Sequence, residues 1–322
     1  MGAVCAVVLT YNRKEMLTRC LLALSAQTRR CERILVIDNA SSDGTREMLA
    51  GTWAGRVQTH SLTTNLGAAG GFNLGMRLAY EGGSDFIWVM DDDVIPEPEA
   101  LERLLDAHAK LTLRGIDPPY LVSMARSTSG LLTEVPDIDR TRNALGFPNW
   151  GEVLEETIVP TLAATFASIL LPRATLSRHG LPIASMFIFG EDREFTLRVT
   201  QEAPGYAVGS SRVLHARKLE GALDIRTEKD RRRLGYHYYL HRNTTYSLLK
   251  YDRPILIALH LWRQAKTFAV LTLRGRWRRA AIVARGTVSG FVYRPKIEML
   301  DDKLDRPVVT QDTVTAASSQ AA

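Results

Sequence analysis

Three consecutive aspartates, Asp91, Asp92 and Asp93, directly follow an apolar run over residues 86–90. The run is rich in aromatic and β-branched residues, which is typical of a buried strand. Open α/β sheets bind ligands beyond the carboxyl ends of their strands, so the three carboxylates are expected at a ligand site. Adjacent carboxylates repel one another unless a cation neutralises them, and oxygen ligands suit Mg²⁺ or Mn²⁺. The pattern indicates a metal site that can hold a diphosphate, with a solvated acidic turn as the alternative.

A second pair of carboxylates, Glu191 and Asp192, lies between the aromatic run 187–190 and a predicted helix over residues 193–201. The helix dipole favours carboxylates in a first turn, so the pair alone could be a cap. A lone histidine after a strand, His215, is usually an ordinary polar residue. Together, in this order, the three features match metal-dependent group transfer. One cluster holds metal and diphosphate, one carboxylate takes a proton from a hydroxyl, and the imidazole completes the metal ligands.

Strand and helix patterns alternate in the first part of the chain and predict an α/β fold with a mostly parallel sheet. Apolar runs predict strands at residues 4–9, 34–37, 57–62 and 86–90, and helical spacing predicts helices at 14–26, 72–80 and 96–111. A glycine-rich loop is predicted over residues 65–71. Further along, the pattern predicts an irregular segment over 113–160, strands at 164–171, 187–190, 206–208 and 212–214, and helices from residue 232 onward, including 254–272.

The bulk composition is that of an ordinary globular protein, with 45% hydrophobic and 24% charged residues among 322. The three cysteines, Cys5, Cys20 and Cys31, follow no zinc or disulfide spacing and favour a reducing compartment. The first residues predict a strand rather than a signal peptide, and no apolar run is long enough for a spanning helix.

Positive charge is concentrated near the end of the chain. Ten Lys and Arg residues lie between Tyr251 and Leu300, opposed only by Asp252 and Glu298. Apolar residues of the helix predicted over 254–272 could rest on an anionic membrane, with the cations against the headgroups. A helical hairpin packed on the rest of the protein or on a dimer partner is the alternative. Nucleic acid is not expected as a partner, because no reader motif accompanies the charge.

In their joint order these motifs resemble the family 2 glycosyltransferases, which are inverting enzymes of the GT-A fold. The resemblance covers roughly residues 4–245 and is carried by residues 7–13, 36–45, 65–75, 91–93, 167–173 and 187–192. It implies an α/β GT-A fold, with a mostly parallel sheet flanked by helices and a C-terminal helical extension. It also implies a metal-dependent sugar transfer from a nucleoside-diphosphate donor.

The resemblance implies a role for individual residues. Asp192 is the expected catalytic base, and Asp91, Asp93 and His215 are the expected ligands of Mg²⁺ or Mn²⁺. Asp38 is expected to contact the nucleotide base, with turn capping as its alternative. Further expected substrate-binding residues are Thr10, Asn12, Arg13, Asn65, Gly67, Gly71, Asp92, Glu191 and Arg242. Asn65 could equally be a turn residue, and Arg242 could equally lie on a helix face.

The branch that the chain resembles transfers galactofuranose or rhamnose in cell-envelope polysaccharide synthesis. This implies a UDP- or dTDP-sugar donor and a glycan or polyprenyl-diphosphate-linked acceptor. Phe187 and Phe189 stand where one such subgroup has paired tryptophans, which leaves the donor sugar open.

We expect a catalytic domain over residues 1–245, with a nucleotide-sugar and metal half (1–112) and an acceptor half (113–245). A basic amphipathic extension (246–304) and a disordered tail (305–322) are expected to follow. The expected location is cytoplasmic, on the inner face of the cell membrane, with a homo-oligomer compatible with the sequence. Two alternative functions remain, a nucleotidyltransferase and a non-catalytic scaffold for envelope assembly.

Overall fold

The computed structural model of the chain describes residues 2–217 and 223–300. Within these residues, eleven strands form one mixed sheet with helices on both faces. Residues 301–304 of the predicted extension and the predicted disordered tail over 305–322 lie outside the described residues.

The first half of the sheet is parallel, in the order β3-β2-β1-β4. Its strands are β1 (Val4–Thr10), β2 (Arg33–Asp38), β3 (Gln58–Ser61) and β4 (Phe86–Asp91), and its helices are α1 (Lys14–Ser25), α2 (Thr45–Gly51) and α3 (Gly67–Glu81). Alternate residues of β1 enter different core layers: Val8 belongs to the same hydrophobic cluster as Trp88, and Val7 belongs to the same cluster as Phe72. The strand is therefore covered on both faces, as expected for a parallel sheet.

The second half of the sheet continues from β4 in the order β10-β6-β11-β9-β8. Its strands are β5 (Val94–Pro96), β6 (Leu121–Arg126), β7 (Leu132–Thr133), β8 (Asp137–Ile138), β9 (Ile158–Ala163), β10 (Ile169–Pro172) and β11 (Gly205–His215). Its helices are α4 (Ala100–Leu113), α5 (Arg173–His179) and α6 (Glu191–Val199), with 3₁₀ turns at Asn149–Gly151, Leu154–Glu156 and Ala184–Met186. β10 is antiparallel to both β4 and β6, so β11 runs in the direction of β4. The carboxyl ends of β4 and β11 therefore face the same edge.

Three helices follow the sheet, α7 (Arg231–Tyr251), α8 (Pro254–Leu273) and α9 (Trp277–Val292). α9 packs closely on α7, because a Cβ added at Gly286 would come within 2.8 Å of the Tyr238 carbonyl oxygen. A Cβ added at Gly290 would likewise come within 2.5 Å of Thr245 Cβ. α7 is continuous across residue 245, so the predicted boundary between domain and extension falls inside one helix.

The predicted glycine-rich loop is wrong from Gly67 onward, because α3 begins at that residue. Glycine is a poor helix former, but here packing decides the structure. A Cβ at Gly71 would overlap the Leu9 side chain of β1, and one at Gly70 would come within 2.6 Å of Leu66 Cβ. The glycines thus let the first turns of α3 lie directly against the sheet.

Three other predictions need correction. The segment over 113–160, predicted as irregular, contains β6, β7, β8 and the first half of β9. The strands predicted at 206–208 and 212–214 are parts of one strand, β11, whose pairing with β6 shifts register between Val208 and Arg212. Residues 187–190 form no strand, because Phe187, Phe189 and Gly190 have positive φ angles of 66°, 66° and 92°.

Candidate active site

A cavity of about 750 Å³ opens at the carboxyl edge of the sheet. Most residues that the sequence singles out for chemistry line it: Thr10, Arg13, Asn65, Gly67, Asp91, Asp92, Asp93, Glu191, Asp192 and His215. The parallel relation of β4 and β11 explains why Asp93 and His215 meet although 122 positions separate them. The structure thus brings both acidic clusters and the histidine into one cavity.

Asp91, Asp93 and His215 form a candidate metal centre. Each offers one ligand atom, and these atoms all lie within 4.8 Å of one another. His215 Nε2 is 3.1 Å from Asp93 Oδ1, while His215 Nδ1 is buried without a hydrogen-bond partner among the described residues. Two carboxylate oxygens and an imidazole nitrogen are a suitable donor set for Mg²⁺ or Mn²⁺.

The charges of this centre are strongly coupled. Burial, and then the charge of Asp93, raise the pKa of Asp91 to about 7. Burial alone would lower the pKa of His215, but the hydrogen bond and charge of Asp93 raise it overall. The same contact helps to lower the pKa of Asp93, although burial opposes this. A carboxylate whose pKa is raised in this way lacks compensating positive charge nearby, so the residues fit a divalent cation.

Asp92 lies in the turn after β4 and is not one of the three residues of this centre. Thr10 Oγ1 donates to its Oδ2 at 2.7 Å, and Arg13 Nη1 donates to its Oδ1 at 3.2 Å and also to Asp93. Burial raises the pKa of Asp92 to about 6 in spite of the Arg13 charge. Asp92 therefore joins the ends of β1 and β4 and holds the Arg13 guanidinium beside the metal centre.

The second acidic pair occupies the first turn of α6, after Gly190 in a left-handed conformation. Glu191 is buried, and its Oε2 has no hydrogen-bond partner among the described residues. Burial and then the charge of Asp192 raise the pKa of Glu191 well above its usual range. Burial raises the pKa of Asp192 to about 6. A carboxylate with this pKa is ionised at neutral pH and still basic enough to act as a general base.

Asn65 and Gly67 shape the wall of the cavity beside α3. Asn65 Oδ1 accepts a hydrogen bond of 2.7 Å from the Gly67 N–H, which is the turn role that the sequence left open. Gly67 has a φ of 74°, and a Cβ there would overlap the Phe187 carbonyl. Only glycine allows the chain from Phe187 onward to approach α3 this closely.

Four predicted substrate-binding residues lie outside the cavity lining: Asn12, Asp38, Gly71 and Arg242. Asn12 Oδ1 accepts from the Ser42 N–H at 2.7 Å and so fixes one loop to another. Asp38 Oδ1 accepts from the Ser41 N–H at 2.9 Å, which is the turn-capping alternative. Asp38 Oδ2 is buried and partnerless among the described residues.

Arg242 is buried, and its guanidinium faces protein rather than the cavity. Its Nη2 donates to the carbonyl oxygens of Ser185 at 2.9 Å and Met186 at 3.2 Å. In this structure the guanidinium contacts the chain that precedes α6, and the expected substrate contact stays a prediction.

Sequence reasoning missed several lining residues. Asn39 Nδ2 donates to the Gly67 carbonyl at 3.0 Å, and its Oδ1 accepts from the Leu66 N–H at 2.8 Å, so it ties β2 to α3. Its position next to Asp38 in a polar turn is a sequence signal by which Asn39 could have been predicted as a site residue. Three cations also line the cavity: Arg217, Arg232 and Arg233. Arg217 pairs with Glu134 at 2.5 Å, and both lie in parts of the sequence without a motif.

The comparisons with known proteins agree with this geometry. Residues 5–129 match the model of glycosyl transferase family 2. The chain carries a family 2 glycosyltransferase domain. The matched segment contains Asp91, Asp92 and Asp93, whereas Glu191, Asp192 and His215 lie beyond it and join the site through the fold.

Two curated relatives extend the comparison. The chain is 29% identical over 214 residues to the galactofuranosyltransferase GlfT1 of Mycolicibacterium smegmatis, covering 62% of this chain and 65% of the relative. It is 36% identical over 106 residues to the undecaprenyl-phosphate mannosyltransferase of Micrococcus luteus, covering 32% of this chain and 43% of the relative. The chain thus spans less than two thirds of the length of these relatives.

Solved structures with the same fold are more distant in sequence. Residues 1–349 of S. aureus TarS in complex with UDP-GlcNAc superpose with a TM-score of 0.52 at 18% identity, covering 80% of this chain and 69% of that one. GalNAc-T7 with UDP, GalNAc and Mn²⁺ superposes with a TM-score of 0.56 at 14% identity, covering 77% and 50%. These likenesses, together with the mixed and mostly parallel sheet, establish the predicted GT-A-like fold for the family 2 domain.

Proposed function

We propose that the protein is a metal-dependent, inverting glycosyltransferase. The observation that carries this proposal is that a candidate metal centre and an independent carboxylate, Asp192, line the same cavity of a family 2 domain. A diphosphate leaving group needs a metal ion to offset its charge, and a hydroxyl nucleophile needs a carboxylate to accept its proton.

The residues divide the reaction between two sides of the cavity. Mg²⁺ or Mn²⁺ bound by Asp91, Asp93 and His215 would offset the charge that develops on the leaving diphosphate. Asp192 accepts the proton of the acceptor hydroxyl while that oxygen forms a bond to the anomeric carbon. The bond from the anomeric carbon to the diphosphate oxygen breaks on the opposite face, so the configuration inverts. Arg13 lies beside the metal centre and adds positive charge near the diphosphate.

For the donor we propose UDP-galactofuranose, and for the acceptor a polyprenyl-diphosphate-linked glycan. The name of the M. smegmatis relative supports galactofuranose, and the UDP-containing complexes of TarS and GalNAc-T7 support a uridine nucleotide. The name of the M. luteus relative supports a polyprenyl carrier. dTDP-rhamnose is the competing donor, since the sequence resembles both branches.

The test is turnover of the purified protein with Mn²⁺, UDP-galactofuranose or dTDP-rhamnose, and a polyprenyl-linked glycan. We expect release of UDP and a glycan longer by one sugar, with UDP-galactofuranose as the better donor. Formation of UTP and galactofuranose 1-phosphate from UDP-galactofuranose, when inorganic pyrophosphate is added, would instead identify a nucleotidyltransferase. Binding of UDP without any turnover of either donor would favour the scaffold alternative.

We also propose that the protein acts at the inner face of the cell membrane as a peripheral protein. None of the helices in the described part of the chain is both long and apolar enough to cross a bilayer. α8 nevertheless exposes an apolar face, with Ile255 71% and Trp262 60% exposed. The sequence holds no acidic residue between positions 253 and 297, so this face is flanked by cations only. Such a helix suits an anionic lipid surface.

The double variant Ile255→Ser and Trp262→Ser is expected to lose binding to vesicles of phosphatidylglycerol and phosphatidylcholine by roughly tenfold or more. Burying one large apolar side chain contributes about 1.5–3 kcal/mol, and each 1.4 kcal/mol is tenfold in affinity. Sedimentation with vesicles measures the change. Phe147→Ser is the matched control, because Phe147 is an exposed aromatic residue of the acceptor half.

Equal vesicle binding by the double variant and the control would refute the membrane assignment. A change from dimer to monomer in the double variant, without any vesicle binding by the unmodified protein, would assign the α8 face to a second copy instead.

A further inference from the structure

The chain segment over residues 184–190 leads directly into Glu191 and Asp192 of α6 but has little regular structure of its own. It begins with a 3₁₀ turn, Ala184–Met186, and continues through positive φ angles at Phe187, Phe189 and Gly190. Non-glycine residues in this conformation are strained and persist only when their surroundings fix them. We call residues 184–190 the base loop, because α6 and Asp192 follow it directly.

Asn243 of α7 is the main partner of the base loop. Its side chain is fully buried. Its Nδ2 donates to the carbonyl oxygens of Met186 at 3.0 Å, Ile188 at 3.2 Å and Phe189 at 2.8 Å. One amide group thus satisfies backbone carbonyl oxygens of the loop on both sides of Phe187.

Arg242 completes the contact and orients Asn243. Arg242 Nε donates to Asn243 Oδ1 at 2.9 Å, which directs the amide nitrogen towards the loop. The same guanidinium reaches the carbonyl oxygens of Ser185 and Met186 and lies 4.1 Å above the ring of Tyr293. Both side chains are buried and hydrogen-bonded to protein groups. Removal of either one would leave buried polar groups of the loop without a hydrogen-bond partner.

The base loop is also fixed from the opposite side. The Ala69 N–H of α3 donates to the Phe187 carbonyl oxygen at 3.0 Å. The ring of Phe187 packs on α7, with its centroid 4.9 Å from that of Tyr239 and 5.8 Å from that of Tyr236. The loop is therefore held between α3, which borders the metal side of the cavity, and α7, which leads into the C-terminal helices.

We propose that Asn243 and Arg242, which do not line the cavity themselves, are positioning residues that set the direction of Asp192. This inference rests on the proposed function. Its physical basis is geometric, since a misplacement of a catalytic group by about 1 Å can cost 10²-fold in rate. α9 packs on α7 near Arg242, since a Cβ added at Gly286 would come within 3.5 Å of the Arg242 backbone nitrogen.

The variant Asn243→Leu tests this proposal, because leucine keeps the volume and removes the amide. We expect kcat for UDP-galactofuranose to fall by roughly 10- to 100-fold, with the Kd for UDP and Mn²⁺ within twofold of the unmodified protein. Thr245→Val is the matched control. Thr245 is also buried on α7, but its hydroxyl bonds to His241 and His260 and not to the base loop.

A second readout separates positioning from a general loss of stability. Burial raises the pKa of Asp192, and the charged groups around it are Glu134, Glu191 and Arg193. Loosening the base loop admits water, so the pKa of Asp192 should fall and the acidic limb of the kcat profile should move to lower pH. Hydrogen exchange of the amides of residues 186–190 should also become faster in Asn243→Leu than in Thr245→Val.

An unchanged kcat and unchanged exchange in folded Asn243→Leu would overturn the proposal. Equal losses in Thr245→Val would also overturn it, since they would reflect stability alone. If Asn243→Leu does not fold, Arg242→Gln removes the contact with Ser185 and keeps Asn243, and the same loss of kcat is expected. Absence of turnover by the unmodified protein would refute the proposed function, whereas the exchange measurement would still report on the loop.

Discussion

The Asp192→Asn variant is expected to lose sugar transfer by about 10²–10⁴-fold while its binding of UDP and Mn²⁺ stays within a few-fold. Asparagine has the shape of aspartate but cannot accept a proton from the acceptor hydroxyl. The carboxylates of the candidate metal centre are untouched by this change, so the donor side of the cavity should keep its function. Single-turnover rates and UDP titrations measure the two quantities separately.

Asp137→Asn is the matched control for this variant, because Asp137 is a carboxylate of the same half that pairs with Arg193 on the surface. Transfer by Asp192→Asn at a rate within threefold of the unmodified protein would show that another group is the base. Loss of UDP binding in a folded Asp192→Asn protein would place Asp192 on the donor side.

The pH profile supplies a check on the same residue. Burial raises the pKa of Asp192 to about 6, and only the ionised form can accept a proton. The rate of transfer should therefore rise as the pH increases through about 6 and level off above it. The residual transfer rate of the Asp192→Asn variant should not show this rise with pH.

The second large effect is expected for the metal centre. Asp93→Asn and His215→Ala should each weaken Mn²⁺-dependent binding of UDP by at least about 10-fold, since even outer partners of metal ligands contribute 10- to 100-fold. Excess EDTA should reduce transfer by the unmodified protein to the background rate. Isothermal titration of UDP with and without Mn²⁺ measures the coupling. Asp106→Asn, an exposed carboxylate of α4, is the control.

The charges of the candidate metal centre also predict that the folded protein becomes more stable when one of its carboxylates is removed. The raised pKa of Asp91 means that its ionised form is disfavoured in the folded protein, so stability should fall as the pH rises from about 4 towards 7. Asp91→Asn should therefore melt at a higher temperature than the unmodified protein in EDTA at pH 7. Mn²⁺ should raise the melting temperature of the unmodified protein only. Full transfer in EDTA, or equal Mn²⁺ effects on both proteins, would contradict the assignment.

The local patterns around the chemistry could be predicted from sequence because each depends on neighbouring residues. The aspartates at the end of β4, the carboxylates at the start of α6 and His215 at the end of β11 are all where strand and helix signals place them. Their meeting in one cavity depends instead on sheet order. β10 lies between β4 and β6 and is antiparallel to both, so β6 and its parallel neighbour β11 run in the direction of β4. A short apolar run in the sequence does not indicate the direction of the strand that it forms.

The failures have a common physical origin in packing between distant segments. Gly67 and Gly71 suggest a loop when considered alone, but contact with Phe187 and Leu9 makes them the start of a helix. Arg242 follows an aromatic run, and its contact with the base loop depends likewise on packing between distant segments. Asn243 carried no sequence signal, since an asparagine within a helix is usually exposed and its three acceptors lie more than 50 positions away.

The most direct test of the account is the position of Mn²⁺ in a crystal of the complex with UDP, located by anomalous scattering. We expect one strong peak within about 2.0–2.3 Å of ligand atoms of Asp91, Asp93 and His215, with the diphosphate bound to it and the Asp192 carboxylate facing the same cavity. A Mn²⁺ ion bound elsewhere, or a diphosphate on a different face from Asp192, would contradict the proposed sugar transfer.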